Sequence, residues 1–268
     1  MTPNGQSLNV TTLTATVAQY GGYVTLSDVL LLTAIDNNLM QASKLLASQA
    51  GRTLDTITRE VLNGGTNVYY CASGVTDKAN LVGGSATASD NSTLTVDDIR
   101  RAVRKLKTMN TPKINGGYVA IIHPDVSYDL MSDPEWQRPH EYVDTDNIYA
   151  GEIGRIAGCR FVETTEAKVW KKAAKDKSSG TAVAGDGSTK GWDVYSTLVL
   201  GADAYGVTEV TGGGLQMIIK QLGSAGTEDP LDQRATAGWK AIKVAERLVE
   251  EYMIRVMSVS SFNDASAN

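Results

Sequence analysis

The sequence predicts an α+β fold with two regions that differ in the length and order of their helices and strands. A threonine-rich strand near the N-terminus is followed by the apolar pattern of one long helix. A loop region of Gly, Ser, Thr, Asn and Asp at 72–94 separates this part from short alternating strands and helices. These short elements predict a mixed α/β domain of about 130 residues.

Bulk composition excludes several classes of protein. With 268 residues and 42% hydrophobic content, the chain can bury a core in one large or two medium domains. No run approaches the roughly 20 apolar residues that cross a bilayer, and the N-terminus lacks a signal-peptide pattern, so synthesis inside the cell is expected. Two cysteines, Cys71 and Cys159, are too few for a disulfide framework and are expected to be buried, reduced thiols.

The first strand is predicted over residues 8–26, where β-branched residues fit an extended backbone. The pair Gly21-Gly22 predicts a bend or bulge within it. Thr33 and Asp36 then match a capping box, and apolar residues recur at spacings of three and four until Gly64-Gly65. This pattern predicts a helix over about 34–63.

The second half of the chain has its own helix signals. Thr95 and Asp98 form another capping box, and an apolar stripe follows that ends near Met109. A buried strand at 117–122 turns through His123-Pro124-Asp125 into a short helix. Further strands are predicted at "CRFVET", "DVYSTLVLG" and "GLQMIIKQL", whereas 171–191 is predicted to be an exposed, mobile loop without core-forming positions.

Candidate catalytic and metal-binding residues are few. His123, Asp125 and Ser127 could form a hydrolytic site, but Pro124 and Asp125 are also ordinary residues for a helix start, and we prefer that structural interpretation. Asp144 and Asp146 begin like a calcium loop, yet Ile148 stands at the third ligand position and the required glycine is missing. His140 is expected at the surface. The sequence predicts no catalytic residue, no cofactor and no metal.

A run of five cations raises a nucleic-acid hypothesis, because such a run could follow a phosphate backbone. No aromatic platform accompanies the run, so a solvated helix face opposite the apolar stripe is the preferred interpretation. The cations are Arg100, Arg101, Arg104, Lys105 and Lys107.

The segment 229–258 satisfies two patterns at once. Its apolar residues, from Ile242 to Val256, lie on one face of a helix, and the same residues also alternate as two strands. Periodicity by itself leaves both alternatives open.

The order of these pieces resembles the major capsid proteins of tailed bacteriophages, in particular the branch similar to that of coliphage N-four. The resemblance covers nearly the whole chain and includes "REVLNGG", "TVDDIRRAVRKLK", "GYVAIIHPDVSYDL", "GEIGRIAGCRFVETT", "VYSTLVLGADAYG" and "DPLDQRATAGWKAIKVAERL". It implies the Hong Kong ninety-seven phage capsid fold, with a long spine helix and a β-sheet in a peripheral domain and a mixed α/β axial domain.

Mapped onto this chain, the resemblance implies four regions. Residues 1–22 are the returning strand of an extended loop, whose preceding arm and outgoing strand are expected to be absent. Residues 23–90 and 226–268 are the two halves of the peripheral domain, and residues 91–225 form the axial domain. In this reading the segment 229–258 forms strands at about 237–247 and 252–260.

The implied function is self-assembly as pentamers and hexamers into an icosahedral shell around packaged double-stranded DNA, in a virion assembled in the bacterial cytoplasm. The implied partners are other copies of the chain, portal and scaffold or decoration proteins, and non-specifically bound DNA, but no membrane. Arg234, Trp239, Glu246 and Arg247 are candidates for the subunit interface. The alternatives are an encapsulin-type nanocompartment shell and the hydrolase based on His123 and Asp125.

Overall fold

The computed structural model describes residues 12–33, 36–136, 152–208, 212–224 and 228–264. The residues His140, Asp144 and Asp146 lie outside these ranges. Within them, no helix is long and apolar enough to span a membrane.

The described ranges contain both helices and strands, numbered here in chain order. The helices are α1 (Asp28–Thr33), α2 (Asn38–Asn63), α3 (Val96–Thr108) and α4 (Pro124–Met131). The strands are β1 (Ala18–Ser27), β2 (Val68–Tyr70), β3 (Val82–Gly83), β4 (Tyr118–Ile122), β5 (Glu152–Ile156), β6 (Cys159–Glu163), β7 (Val169–Asp176), β8 (Trp192–Leu200), β9 (Tyr205–Val207), β10 (Gln216–Lys220), β11 (Arg234–Lys243), β12 (Ala245–Arg247) and β13 (Met253–Ser258).

The chain divides into two compact units. The first unit comprises Met1–Ala50 and Val207–Leu248, and the second comprises Gly51–Gly206 and Val249–Asn268. This division does not coincide with the predicted domain boundaries near 90 and 226, which stay a prediction. The last strand, β13, belongs to the second unit because it pairs in parallel with β2 and antiparallel with β8.

The first unit is built on a three-stranded antiparallel sheet in the order β1-β11-β10. Alternate residues of β11 are buried, which is the period-2 pattern of a strand with one covered face. These buried residues are Ala235, Ala237, Trp239 and Ala241. The sheet confirms strand structure for the first part of the segment 229–258, and β13 confirms it for the second part.

The pair Gly21-Gly22 does not interrupt β1, so the predicted bend or bulge is wrong. Gly21 pairs with Lys240 and Gly22 pairs with Trp239 in one continuous register. A Cβ on Gly21 would lie 2.8 Å from the Trp239 carbonyl oxygen, and one on Gly22 would lie 3.2 Å from the indole nitrogen. The glycines therefore make room for a tryptophan on the neighbouring strand.

Helix α2 confirms the predicted long helix but begins later than its capping signal. Thr33 ends α1 instead, where its hydroxyl donates to the Val29 carbonyl at 2.7 Å. The side chain of Asn37 accepts from the Met40 amide at 3.2 Å and so caps α2. At the other end Gly64 and Gly65 donate back to Glu60 and Leu62, which confirms the predicted stop.

The second unit contains a mixed sheet of eight strands within the described ranges. Its main order is β2-β13-β8-β4-β6-β5, and β7 pairs with both β8 and β3. Every residue of β8 after Trp192 is buried, as expected for a central strand covered on both faces. The sheet provides the platform on which α3 and α4 pack.

The core of the second unit is closed by α3, which follows its sequence signals closely. The predicted stripe of Val96, Ile99, Val103 and Leu106 is buried against the sheet. Thr95 and Asp98 form the predicted reciprocal capping box. Asp98 also accepts a hydrogen bond from the Tyr69 hydroxyl at 2.9 Å, and burial together with this contact raises the pKa of Tyr69 to about 12.

The predicted loop 171–191 is a loop only in its later part. Its first six residues lie in β7, and Ala174 there is fully buried. The ammonium group of Lys171 lies 2.6 Å from a carboxylate oxygen of the buried Asp193, which neutralises a charge that the sequence pattern placed in solvent. Asp176 and Val183 then exchange backbone hydrogen bonds, so the chain returns on itself.

Candidate assembly surfaces

Most of the exposed large apolar side chains in the described residues belong to the first unit. The most exposed are Leu32, at 81%, and Tyr23, at 77%. A concentration of exposed apolar side chains in one unit is typical of surfaces that contact other proteins. The first unit is therefore the candidate assembly region.

Strand β10 is the most unusual part of this surface. It lies at one edge of the three-stranded sheet, and all five of its residues are exposed, including Met217, Ile218 and Ile219. An apolar edge strand that is open on both faces favours pairing or packing with another chain. The sequence predicted the strand but not its exposure, because consecutive apolar residues are more typical of a buried strand.

The predicted interface residues have different surroundings. Trp239 is only 4% exposed and lies beside Gly22, so it packs in the core of the first unit, and its contact with a neighbour stays a prediction. Arg234 is exposed at the start of β11 and its amide donates to Asp229. Glu246 and Arg247 are half-buried in β12. These three side chains stay interface candidates.

The cationic helix is α3, and its outer face is solvent-exposed. Arg100 contacts Glu135 at 2.5 Å and Arg101 contacts Asp97 at 2.7 Å. Arg104 and Lys107 are exposed, whereas Lys105 is half-buried. The sequence therefore identified both faces of this helix correctly.

The His123 and Asp125 pair has the geometry of a helix cap. The Nδ1 atom of His123 accepts the Asp125 amide at 3.2 Å, which caps α4. Burial lowers the pKa of His123, while Asp125 and Glu163 oppose that shift, so the ring is neutral at pH 7. The Ser127 hydroxyl donates to the Pro124 carbonyl at 2.9 Å, so it is engaged with the backbone and not with His123.

Asp125 also makes hydrogen bonds that hold α4 in place. It accepts a hydrogen bond from the Tyr195 hydroxyl at 2.7 Å, and its carbonyl accepts from Ser260. Burial and the Asp125 carboxylate raise the pKa of Tyr195. These contacts tie α4 to the sheet and do not activate a nucleophile.

The cysteines are buried, free thiols, as predicted. Burial raises the pKa of Cys71 and raises that of Cys159 to about 12, so both thiols are unreactive at neutral pH. Among the residues that the structure describes, no cluster of three or more His, Cys, Asp or Glu could hold a metal ion.

Comparison with known proteins supports the assembly interpretation. A family model described as phage capsid protein matches residues 15–222, which is most of the chain. No curated protein matches the sequence.

Solved capsids share the fold. The capsid of Ralstonia phage GP4 is 15% identical with a TM-score of 0.62, over 95% of this chain and 76% of that one. The capsid of cyanophage P-SCSP1u is 15% identical with a TM-score of 0.60, over 96% and 80%. The SrpI encapsulin complex from Synechococcus elongatus is 9% identical with a TM-score of 0.54, over 94% and 77%.

Proposed function

The chain belongs to the phage capsid protein family and is a major capsid protein with the Hong Kong ninety-seven fold, and from this we propose how it builds a shell. Identical subunits associate as pentamers and hexamers and close into an icosahedral shell. The shell encloses double-stranded DNA and is assembled in the bacterial cytoplasm. Portal and scaffold or decoration proteins complete the particle, and the chain itself catalyses no reaction.

The two compact units support an assignment of the capsid domains. The first unit, with the β1-β11-β10 sheet, has the strand and helix content expected of the extended loop and peripheral domain. The second unit, with its mixed sheet and α3 and α4, has the content expected of the axial domain. The coliphage N-four branch stays a prediction from the sequence.

One observation carries the proposal: the first unit leaves its apolar edge strand β10 open to solvent. Each Å² of apolar surface that is buried in a subunit contact contributes about 25 cal/mol to the free energy of association. Burial of this strand in a subunit contact would remove the exposed edge that would otherwise favour aggregation.

The experiment is to replace Ile219 by Lys in β10 and to follow particle formation. Because Ile219 is exposed in the subunit, the variant should fold with an unchanged thermal midpoint. Burying an ammonium group in a subunit contact is costly, so the yield of particles should fall by roughly tenfold or more. Size-exclusion chromatography and negative-stain microscopy measure that yield.

The matched control is Val162→Lys, an exposed strand residue of the second unit. We expect it to leave the particle yield close to that of the unchanged chain. The proposal is contradicted if the Ile219 variant assembles normally, or if the unchanged chain forms no large particles.

A nanocompartment shell is the second candidate, because the encapsulin from Synechococcus elongatus shares the fold. Particle contents separate the two functions. Nuclease-protected genomic DNA inside particles from infected cells supports the virion, whereas an enclosed enzyme supports the nanocompartment.

A further inference from the structure

The outer face of α3 borders an open depression on the second unit. Arg100, Arg104 and Lys107 lie four and three residues apart and so share one face of the helix. Together with the turn at Ala157 and Gly158 they line a depression of about 720 Å³. We call this feature the α3 basin.

The described residues pair only part of the positive charge of the basin. Arg100 is paired with Glu135. Among the described residues neither Arg104 nor Lys107 has a carboxylate partner, and both side chains are exposed. Within the described part of the chain, the basin therefore offers two cations without a carboxylate partner and a third that can exchange its partner.

The neighbouring hairpin carries two more arginines close to the basin. Strands β5 and β6 meet at the Ala157-Gly158 turn, and Arg155 lies directly opposite Arg160 across them. Both side chains are exposed, so the hairpin places further cations near the turn.

The spacing of the cations fits a phosphate backbone. From Arg100 to Lys107 the helix rises by about 10 Å. A strand of duplex DNA presents one phosphate for each 3.4 Å or so of its axis, or about three over that distance. Contacts with the backbone of a duplex need no aromatic platform, which answers the main objection to the nucleic-acid hypothesis.

We propose that the α3 basin binds the phosphate backbone of duplex DNA, so that this face of the second unit is turned toward the shell interior. The proposal rests on the proposed function, because a capsid that encloses DNA has a net charge of −5 and needs locally basic inner surface. The contact is electrostatic and independent of base sequence.

The test measures binding of a short fluorescent DNA duplex to the full chain by anisotropy at about 50 to 200 mM salt. The variant Arg104→Gln with Lys107→Gln should bind roughly tenfold more weakly at the low-salt end. The slope of log K against log salt should fall by about 1 to 2, because up to two phosphate contacts are lost. The charge-conserving variant Arg104→Lys should keep most of the slope.

The matched control is Lys44→Gln with Lys240→Gln, two exposed cations of the first unit that change the net charge equally. Unchanged binding by this control supports the basin, whereas an equal loss shows a net-charge effect and overturns the proposal. Wild-type binding by the Arg104 and Lys107 variant also overturns it. A matched polyglutamate that displaces the duplex equally well assigns the basin to an acidic protein surface, which overturns it too.

Particle formation separates this proposal from the proposed function. A variant that forms normal particles and binds DNA weakly supports the basin. A variant that cannot assemble but binds DNA normally makes the basin a subunit contact and overturns the inference. Failure of the unchanged chain to form particles contradicts the proposed function instead, whatever its affinity for DNA.

Discussion

The two units of the chain differ in how much of their apolar surface they bury. The second unit folds its apolar residues inward, so that α3, α4 and the central strand β8 share one buried cluster. The first unit buries mainly the alanines and the tryptophan of β11 and leaves β10, Tyr23 and Leu32 in solvent. One unit has a complete core, and the other has a surface that another subunit can complete.

This difference predicts where substitutions act. In the second unit, substitution of buried apolar residues should lower the free energy of unfolding. In the first unit, changes to exposed apolar residues should leave the subunit folded and be measured as loss of assembly. The predictions below test this separation, beginning with the largest expected effect.

Two isoleucines give the most direct comparison. Ile99 in α3 is fully buried, and Ile219 in β10 is 49% exposed. We expect Ile99→Ala to lower the free energy of unfolding by about 2 to 5 kcal/mol, because it leaves a cavity under α3. Ile219→Ala should lower it by less than about 0.5 kcal/mol in the unassembled subunit. Chemical denaturation followed by circular dichroism measures both, and equal losses would contradict the separation.

The glycine pair of β1 should have a smaller effect, confined to the first unit. Gly21→Ala places a Cβ 2.8 Å from the Trp239 carbonyl oxygen, so β1 must move away from β11. We expect a loss of about 1 to 3 kcal/mol, with faster hydrogen exchange in β1 and little change in β8.

The matched control is Gly51→Ala in α2. Nothing lies within 4 Å of a Cβ at Gly51, so the higher helix propensity of alanine should stabilise the helix by about 0.5 to 1 kcal/mol. Stabilisation by Gly21→Ala would show that β1 and β11 are not held in this register.

Local signals in the sequence predicted much of the second unit. The capping box at Thr95 and the stripe that ends at Leu106 fix α3 almost to the residue, because cap and periodicity agree. The start of α4 follows from Pro124 for the same reason. The face of α3 that lines the α3 basin could also be derived from spacing.

Other features depend on contacts between distant residues. Thr33 and Asn37 are both good capping residues, and the choice of Asn37 follows from the formation of α1. The lysines at the start of β7 suggested a solvent-exposed loop. The strand forms because Asp193, 22 residues later in the chain, neutralises Lys171. The pairing of β13 with β2 and β8 set the unit boundaries, and periodicity contains no information on which strands meet.

The smallest expected effect concerns pH. His123 lies in the second unit, so the effect of its titration should be seen in that unit. Burial lowers the pKa of His123 from its ordinary value of 6.5, although Asp125 and Glu163 oppose the shift. The unfolded chain then binds a proton at higher pH than the folded chain does, so acid favours unfolding.

The stabilising contribution of neutral His123 is complete above pH 6.5 and decreases as the pH falls below that value toward the lowered pKa. Protonation of Nδ1 also removes the acceptor for the Asp125 amide at the start of α4. His123→Asn keeps a capping acceptor that does not titrate. Its thermal midpoint should therefore change less than that of the unchanged chain between about pH 7.5 and 5.5, and an equally steep decrease in the variant would assign the pH response to other groups.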